Sequence, residues 1–336
     1  MSSIRVLLIL ALVAAPCWLS SRYSEHHEGE NIFLTLYMHL IPAKLVVEAE
    51  GHGDHASGDA GHADASHNTS VRDPHDSHGA GHYLFAFTVP GAPAFFDMDP
   101  AHEGTQLVAT NMQLFQVAAV LLVLVCFSGV PRYLRTGQGD YVSRLFAGFA
   151  GWVRDDMVYA VMGKELGAKF LPYFLSLFFF LLFMNVMGLV PHAATATASI
   201  FVTGAMAIVT LFSMIGGGMV AQGPIAFWKH LVPHVPAALW PLMFVVELIG
   251  LLVKPFALMI RLFANMSGGH MVVLSFLGLI FFFANMSPVV GYAASPVAVG
   301  FAVFIMIIES FVALLQAYIF TMLSIIFVNA SIHPEH

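Results

Sequence analysis

Residues 242–283 read LMFVVELIGLLVKPFALMIRLFANMSGGHMVVLSFLGLIFFF. No polar turn divides this run; Pro255 and the pair Gly268-Gly269 are its main breakers. At helical rise it would reach roughly 60 Å, about twice the hydrocarbon thickness of a bilayer. Two spans with a very tight break would fit that length, as would one steeply tilted helix. The tilted helix is the expectation here, with Val297–Val328 as its partner in a long hairpin. The turn is expected within residues 284–296, where Pro and Gly punctuate the chain.

Three shorter apolar stretches precede it: Leu107–Phe127, Phe170–Val190 and Ile200 to about Val220. Each suits one crossing of about 20 residues. Tyr141 to Gly163 mixes Phe, Trp and Val with Arg and Asp, the pattern of an amphipathic helix lying at the membrane interface. The predicted fold is therefore an all-α polytopic membrane protein. It has about five membrane helices plus the interfacial one, and the last two helices are long and tilted.

Composition agrees. Hydrophobic residues make up 58% of the 336 residues and charged residues 10%, against roughly 45–50% and ~25% in soluble domains. In water such a chain would expose large apolar patches and aggregate. A soluble enzyme, a nucleic-acid binder and a secreted disulfide scaffold are excluded. Cys17 and Cys126 lie in apolar runs and form neither a disulfide framework nor a metal motif.

Charge divides the chain. Of the 20 acidic residues, 13 fall between Glu25 and Glu103, offset there only by Lys44 and Arg72. Residues 1–24 resemble a secretory signal, with Arg5 before an apolar run from Val6 to Ala15. Removal after Ala15 and retention as an N-terminal anchor are both open, since Pro16 makes a poor cleavage site. Residues 25–104 form an exported arm, acidic and rich in His, with seven His between His52 and His82. Such a segment buries too little apolar surface to offset its ordering entropy, so it is expected to be largely disordered. Residues 105–336 form the membrane domain.

Lys and Arg placement orients the bundle. Arg132, Arg135, Arg144, Arg154, Lys164 and Lys169 crowd residues 128–169, which should face the cytoplasm. Residues 191–199 and 284–296 carry no Lys or Arg and should face out. The arm is then outside, and Lys229 and the C-terminus are cytoplasmic.

Ionisable groups at membrane depth are functional candidates. The long run holds Glu247, Lys254, Arg261, Asn265 and His270, and its partner holds Glu309 and Gln316. Glu247, Lys254 and Arg261 are seven apart, and a seven-residue step drifts only about 20° around a helix. With Asn265 they form one polar stripe; Glu309 and Gln316 share a face of the next helix. Bland readings exist: Glu247 and Lys254 could snorkel or pair, Asn265, Gln316 and Asn185 could be interhelical glue, and His270 could be a satisfied bundle histidine. Arg261 resists a bland reading. It lies mid-run, and a guanidinium keeps its charge.

At these residues a resemblance emerges. Pro255-Phe-Ala-Leu-Met-Ile-Arg261-Leu-Phe-Ala-Asn265-Met266 resembles the signature of subunit a of F-type rotary ATP synthases. So do Glu309-Ser-Phe-Val-Ala-Leu-Leu-Gln316-Ala-Tyr-Ile-Phe320 and the second-span motif Phe183 to Pro191. The resemblance covers about 120–336. It implies a membrane stator with two offset half-channels that pass protons to and from rotating c-ring carboxylates. Arg261 would face those carboxylates, with Asn265 and Gln316 as its polar neighbours. His270 and Glu309 would line the inlet, and Glu247 and Lys254 would lie towards the cytoplasmic exit. Gly188 stands where some relatives carry Asp. The implied partners are the c-ring, peripheral-stalk b subunits, an F1 head reached indirectly, and lipid, in a bacterial inner membrane. No cofactor, metal or catalytic residue is implied, and no Gly-x-x-x-x-Gly-Lys-Ser/Thr run occurs. Two other classes remain: a metal transporter whose His arm collects zinc or copper, and a scaffold whose polar groups merely lock helices.

Overall fold

The structure is a computed structural model. It describes residues 2–23, 111–190, 195–232, 236 and 239–333, together with four short strands. The strands pair in twos: β1 (Val46–Val47) with β2 (His82–Tyr83), and β3 (Ala86–Thr88) with β4 (Gln106–Val108), both antiparallel. The remainder of the arm, with the disorder and metal capture weighed for it, lies outside the described residues. So does His192.

The other regular elements among the described residues are helical. Six helices among the described residues are long and apolar enough to cross a membrane. Five match the apolar stretches. The sixth is α1, Ser2–Tyr23, in the leader-like segment, where Pro16 sits inside a continuous helix. A proline is tolerated there because local adjustment and neighbouring helices re-satisfy the freed backbone group.

Helix α2 spans Asn111–Phe127 and starts later than expected. Leu107 and Val108 pair instead with Phe87 and Ala86. The polar Thr110-Asn111 step separates them from the continuous apolar run. A short α3, Val130–Thr136, opens with proline in its first turn and closes on the left-handed Gly137.

The interfacial segment is α4, Tyr141–Trp152, followed by a π-helical stretch, Val153–Tyr159. Helix α5 spans Ala160–Gly188 but bends at Gly163, whose φ of 72° and ψ of 173° suit only glycine. That bend separates the amphipathic segment from the true span, at the boundary expected from sequence. A 3₁₀ turn, Ala196–Ala198, leads into α6, Ile200–Gln222, and then into the short α7, Pro224–His230.

The long pair is α8, Trp240–Met286, and α9, Pro288–Ile332. The long run is thus one helix, not two. At about 1.5 Å per residue, α8 reaches ~70 Å, so it cannot stand upright within ~30 Å of hydrocarbon. The expected turn over 284–296 is corrected to the single residue Ser287, which is extended at φ −162°. Pro288 occupies the first turn of α9, where its missing N–H costs nothing, and Pro296 is absorbed inside the helix. Gly291 makes so abrupt a reversal possible: a Cβ there would lie 2.8 Å from Ala284 Cα.

The core is aromatic and small-residue packing. Phe174, Phe178, Phe179 and Leu181 of α5 meet Leu258, Leu262 and Met266 of α8 and Ala313, Ala317 and Phe320 of α9, all nearly fully buried. The alanines let backbones approach, which matters in lipid because burying apolar surface there gains little. Polar residues tie the same helices: Asn185 Nδ2 donates to the Ala313 carbonyl at 3.1 Å, as expected of interhelical glue.

Candidate functional site

Helix α8 sorts its residues by angle. Leu251, Pro255, Leu258, Leu262 and Met266 are buried in steps of three and four, the row one helix face presents to its neighbours. Lys254, Arg261 and Asn265 each precede a member of that row by one position, about 100° around the helix. All three are exposed, and Glu247 is half-buried. The polar stripe thus runs along the edge of the packed face and looks outward from the chain.

Arg261 lies near the middle of α8. Among the described residues no hydrogen bond or ion pair to it is present. Lys254 is held only loosely, its Nζ 5.8 Å from the Phe327 ring centroid. On α9 the arrangement inverts. Glu309 and Gln316 do share a face, but it is the buried one, at 5% and 4% exposure. The two polar faces of the hairpin are therefore not equivalent: one looks out, the other in.

His270 lies nine residues beyond Arg261, about 14 Å along α8, and meets Glu309. Its Nδ1 is 2.5 Å from Glu309 Oε1 and 3.2 Å from the Met266 carbonyl. Its Nε2 is 3.0 Å from the Gly188 carbonyl and 2.8 Å from Thr195 Oγ1. The ring keeps 20% exposure and the carboxyl 5%, so the imidazole is the member nearer the outside. Two glycines make the fit possible. A Cβ on Gly269 would lie 2.7 Å from Glu309 Oε1, and one on Gly188 would lie 2.8 Å from Thr195 Cγ2.

Thr195 is the member that sequence reading missed. It follows a helix end in a short connection, and no spacing links it to a residue 75 positions later. A second unforeseen feature is an apolar groove of about 750 Å³ between α4 and α9, lined by Phe149, Trp152, Phe311, Leu315 and Tyr318, with Arg144 at its rim. Trp152 stacks on Tyr318 there, with centroids 5.8 Å apart. Among the described residues no group of three or more metal-ligating side chains converges.

A family model described as ATP synthase A chain matches residues 113–329, which contain Glu247, Lys254, Arg261, Asn265, His270, Glu309 and Gln316. A protein named ATP synthase subunit a from Myxococcus xanthus is 44% identical over 233 residues, covering 68% of this chain and 74% of its own length. Another of that name, from Chloroherpeton thalassium, is 38% identical over 67% of both chains. ATP synthase subunit a 2 from Chlorobium luteolum is 33% identical over 98% of this chain and 94% of its own. The family match over residues 113–329 and relatives 33–44% identical that cover two thirds or more of both chains agree: the chain belongs to the ATP synthase A chain family.

Proposed function

We propose that this chain is the membrane stator subunit of an F-type ATP synthase, with two offset half-channels that pass protons to and from the carboxylates of a rotating c-ring. One observation carries the reading: Arg261 is exposed near the middle of the apolar helix α8 with no hydrogen-bond or ion-pair partner among the described residues. A cation at membrane depth costs about 2.5–3.5 kcal/mol on insertion scales. That cost is offset when a second molecule brings an acid to it.

The mechanism follows from electrostatics. A carboxylate crossing lipid must be neutral, because a bare charge there is costly. Opposite a fixed guanidinium the ionised form is favoured instead. The ring acid therefore sheds its proton towards the cytoplasm as it nears Arg261, with Asn265 and Gln316 as polar neighbours and Glu247 and Lys254 along the exit. It reloads from outside through the His270–Glu309 pair. Arg261 also repels any proton hopping directly between the two routes. One charge moved through 100 mV releases about 2.3 kcal/mol, so several steps per turn supply catalysis in an F1 head.

The chain is the stationary, non-catalytic partner, held by peripheral-stalk b subunits. It sits in a bacterial inner membrane with the arm outside and the C-terminus cytoplasmic. The cation distribution supports this orientation. Replacing Arg261 by Ala is expected to abolish coupled ATP synthesis by the reconstituted complex; synthesis near the wild-type rate would overturn the reading.

A further inference from the structure

The contacts around His270 decide more than proximity. A carbonyl oxygen only accepts, so the 3.0 Å approach of Nε2 to Gly188 O requires a proton on Nε2. Thr195 agrees with that assignment. Its hydroxyl donates to the same Gly188 carbonyl at 3.3 Å, leaving Oγ1 to accept from Nε2–H at 2.8 Å. The alternative, Thr195 donating to a bare Nε2, would leave the carbonyl facing a lone pair. With Nε2 committed as a donor, only Nδ1 can exchange a proton; it faces Glu309 Oε1 at 2.5 Å and the Met266 carbonyl at 3.2 Å, which only accepts, so the observed geometry is that of the loaded pair with a proton on Nδ1.

We propose that Thr195 and the Gly188 carbonyl are positioning groups that hold His270 in its Nε2–H form, so that Nδ1 and Glu309 share a single exchangeable proton. The inference rests on the proposed inlet role of the pair and deepens it. Loaded, the pair is a carboxylic acid beside a neutral imidazole, or a carboxylate beside an imidazolium; both are neutral overall. Unloaded, it is a carboxylate beside the Nε2–H imidazole, one negative charge in total. The proton enters and leaves on the Nδ1 side. It does not cross the ring from one nitrogen to the other, because the partners of Nε2–H, a carbonyl and a hydroxyl, are too weakly basic to take its proton away. Gly188 is built for this: any Cβ there would drive Thr195 away from the ring.

The test combines a spectroscopic and a functional readout on the reconstituted complex. In the wild type, the ¹⁵N spectrum of His270, assigned by difference against His270→Gln, should show a protonated Nε2. Thr195→Val should shift that spectrum towards mixed tautomers. It should also lower ATP-driven proton uptake about fivefold, the weight of one hydrogen bond. Thr195→Ser keeps the hydroxyl and should restore both. A bare Nε2 in the wild type would overturn the proposal even if the Val variant fails to assemble. So would a Val variant with unaltered spectrum and uptake. Glu309→Gln separates the two levels: undiminished uptake there removes the pair from the proton route, whereas the tautomer of His270 is read independently of flux.

Discussion

Two polar sites lie on one helix, about 14 Å apart along its axis, and they are opposites. At Arg261 the chain presents a lone cation outward and offers it no counter-charge among the described residues. At His270 it surrounds the imidazole on every hydrogen-bonding edge with its own groups, drawn from α5, the connection after it, α8 and α9. The first site is half of an interaction; the second is whole. A charge left incomplete in an apolar setting points to a partner that comes and goes. A completed pair points to chemistry done within the chain.

Substitutions at the two sites should therefore separate function from stability. The largest effect is expected at Arg261: the Ala variant loses ATP synthesis entirely, yet the complex should melt at the wild-type temperature, because no hydrogen bond or ion pair among the described residues is lost. A clear fall in melting temperature would break the contrast. Glu309→Leu should strike both readouts. Proton uptake falls, and stability drops by about 1–3 kcal/mol as a buried ring nitrogen loses its partner, measurable by thermal unfolding of the complex.

The neighbouring glycines sharpen the point at smaller scale. Gly269→Ala places a methyl 2.7 Å from Glu309 Oε1, whereas Gly268→Ala meets nothing within 4 Å. Uptake should fall in the first and stay unchanged in the second, so equal behaviour of the two would deny that the pair is closely fitted. The smallest effect is expected at Asn185, fully buried and bonded to Ala313. Its Ala variant should cost about 1 kcal/mol of stability with little change in uptake per assembled complex. A large loss of uptake would mean that buried polar residues in general, and not the inlet pair, govern conduction.

Much of this architecture is legible in one dimension. Lipid demands helices with every backbone group satisfied internally, so runs such as 242–283 announce their spans by length and apolarity alone. The seven-residue spacing of Glu247, Lys254 and Arg261 places them in one row for the same reason: helical geometry is local, and the drift over a heptad is small. The end of the amphipathic segment at Gly163 was readable too.

The single-residue turn was not, because the punctuation over 284–296 marks a region of weak helix preference without saying which peptide breaks. Ser287 is selected by the approach of Gly291 to Ala284, a contact between two helices. Sequence alone thus determined the spans, the row of polar residues along α8 and the depth of Arg261, since each depends only on rise and angle per residue. Tertiary structure decided which polar residues look outward and which are enclosed. It alone brought Thr195 and Glu309, 75 and 39 positions away, onto one imidazole. Hydrogen bonds between helices depend on how whole faces pack, and no local period encodes that.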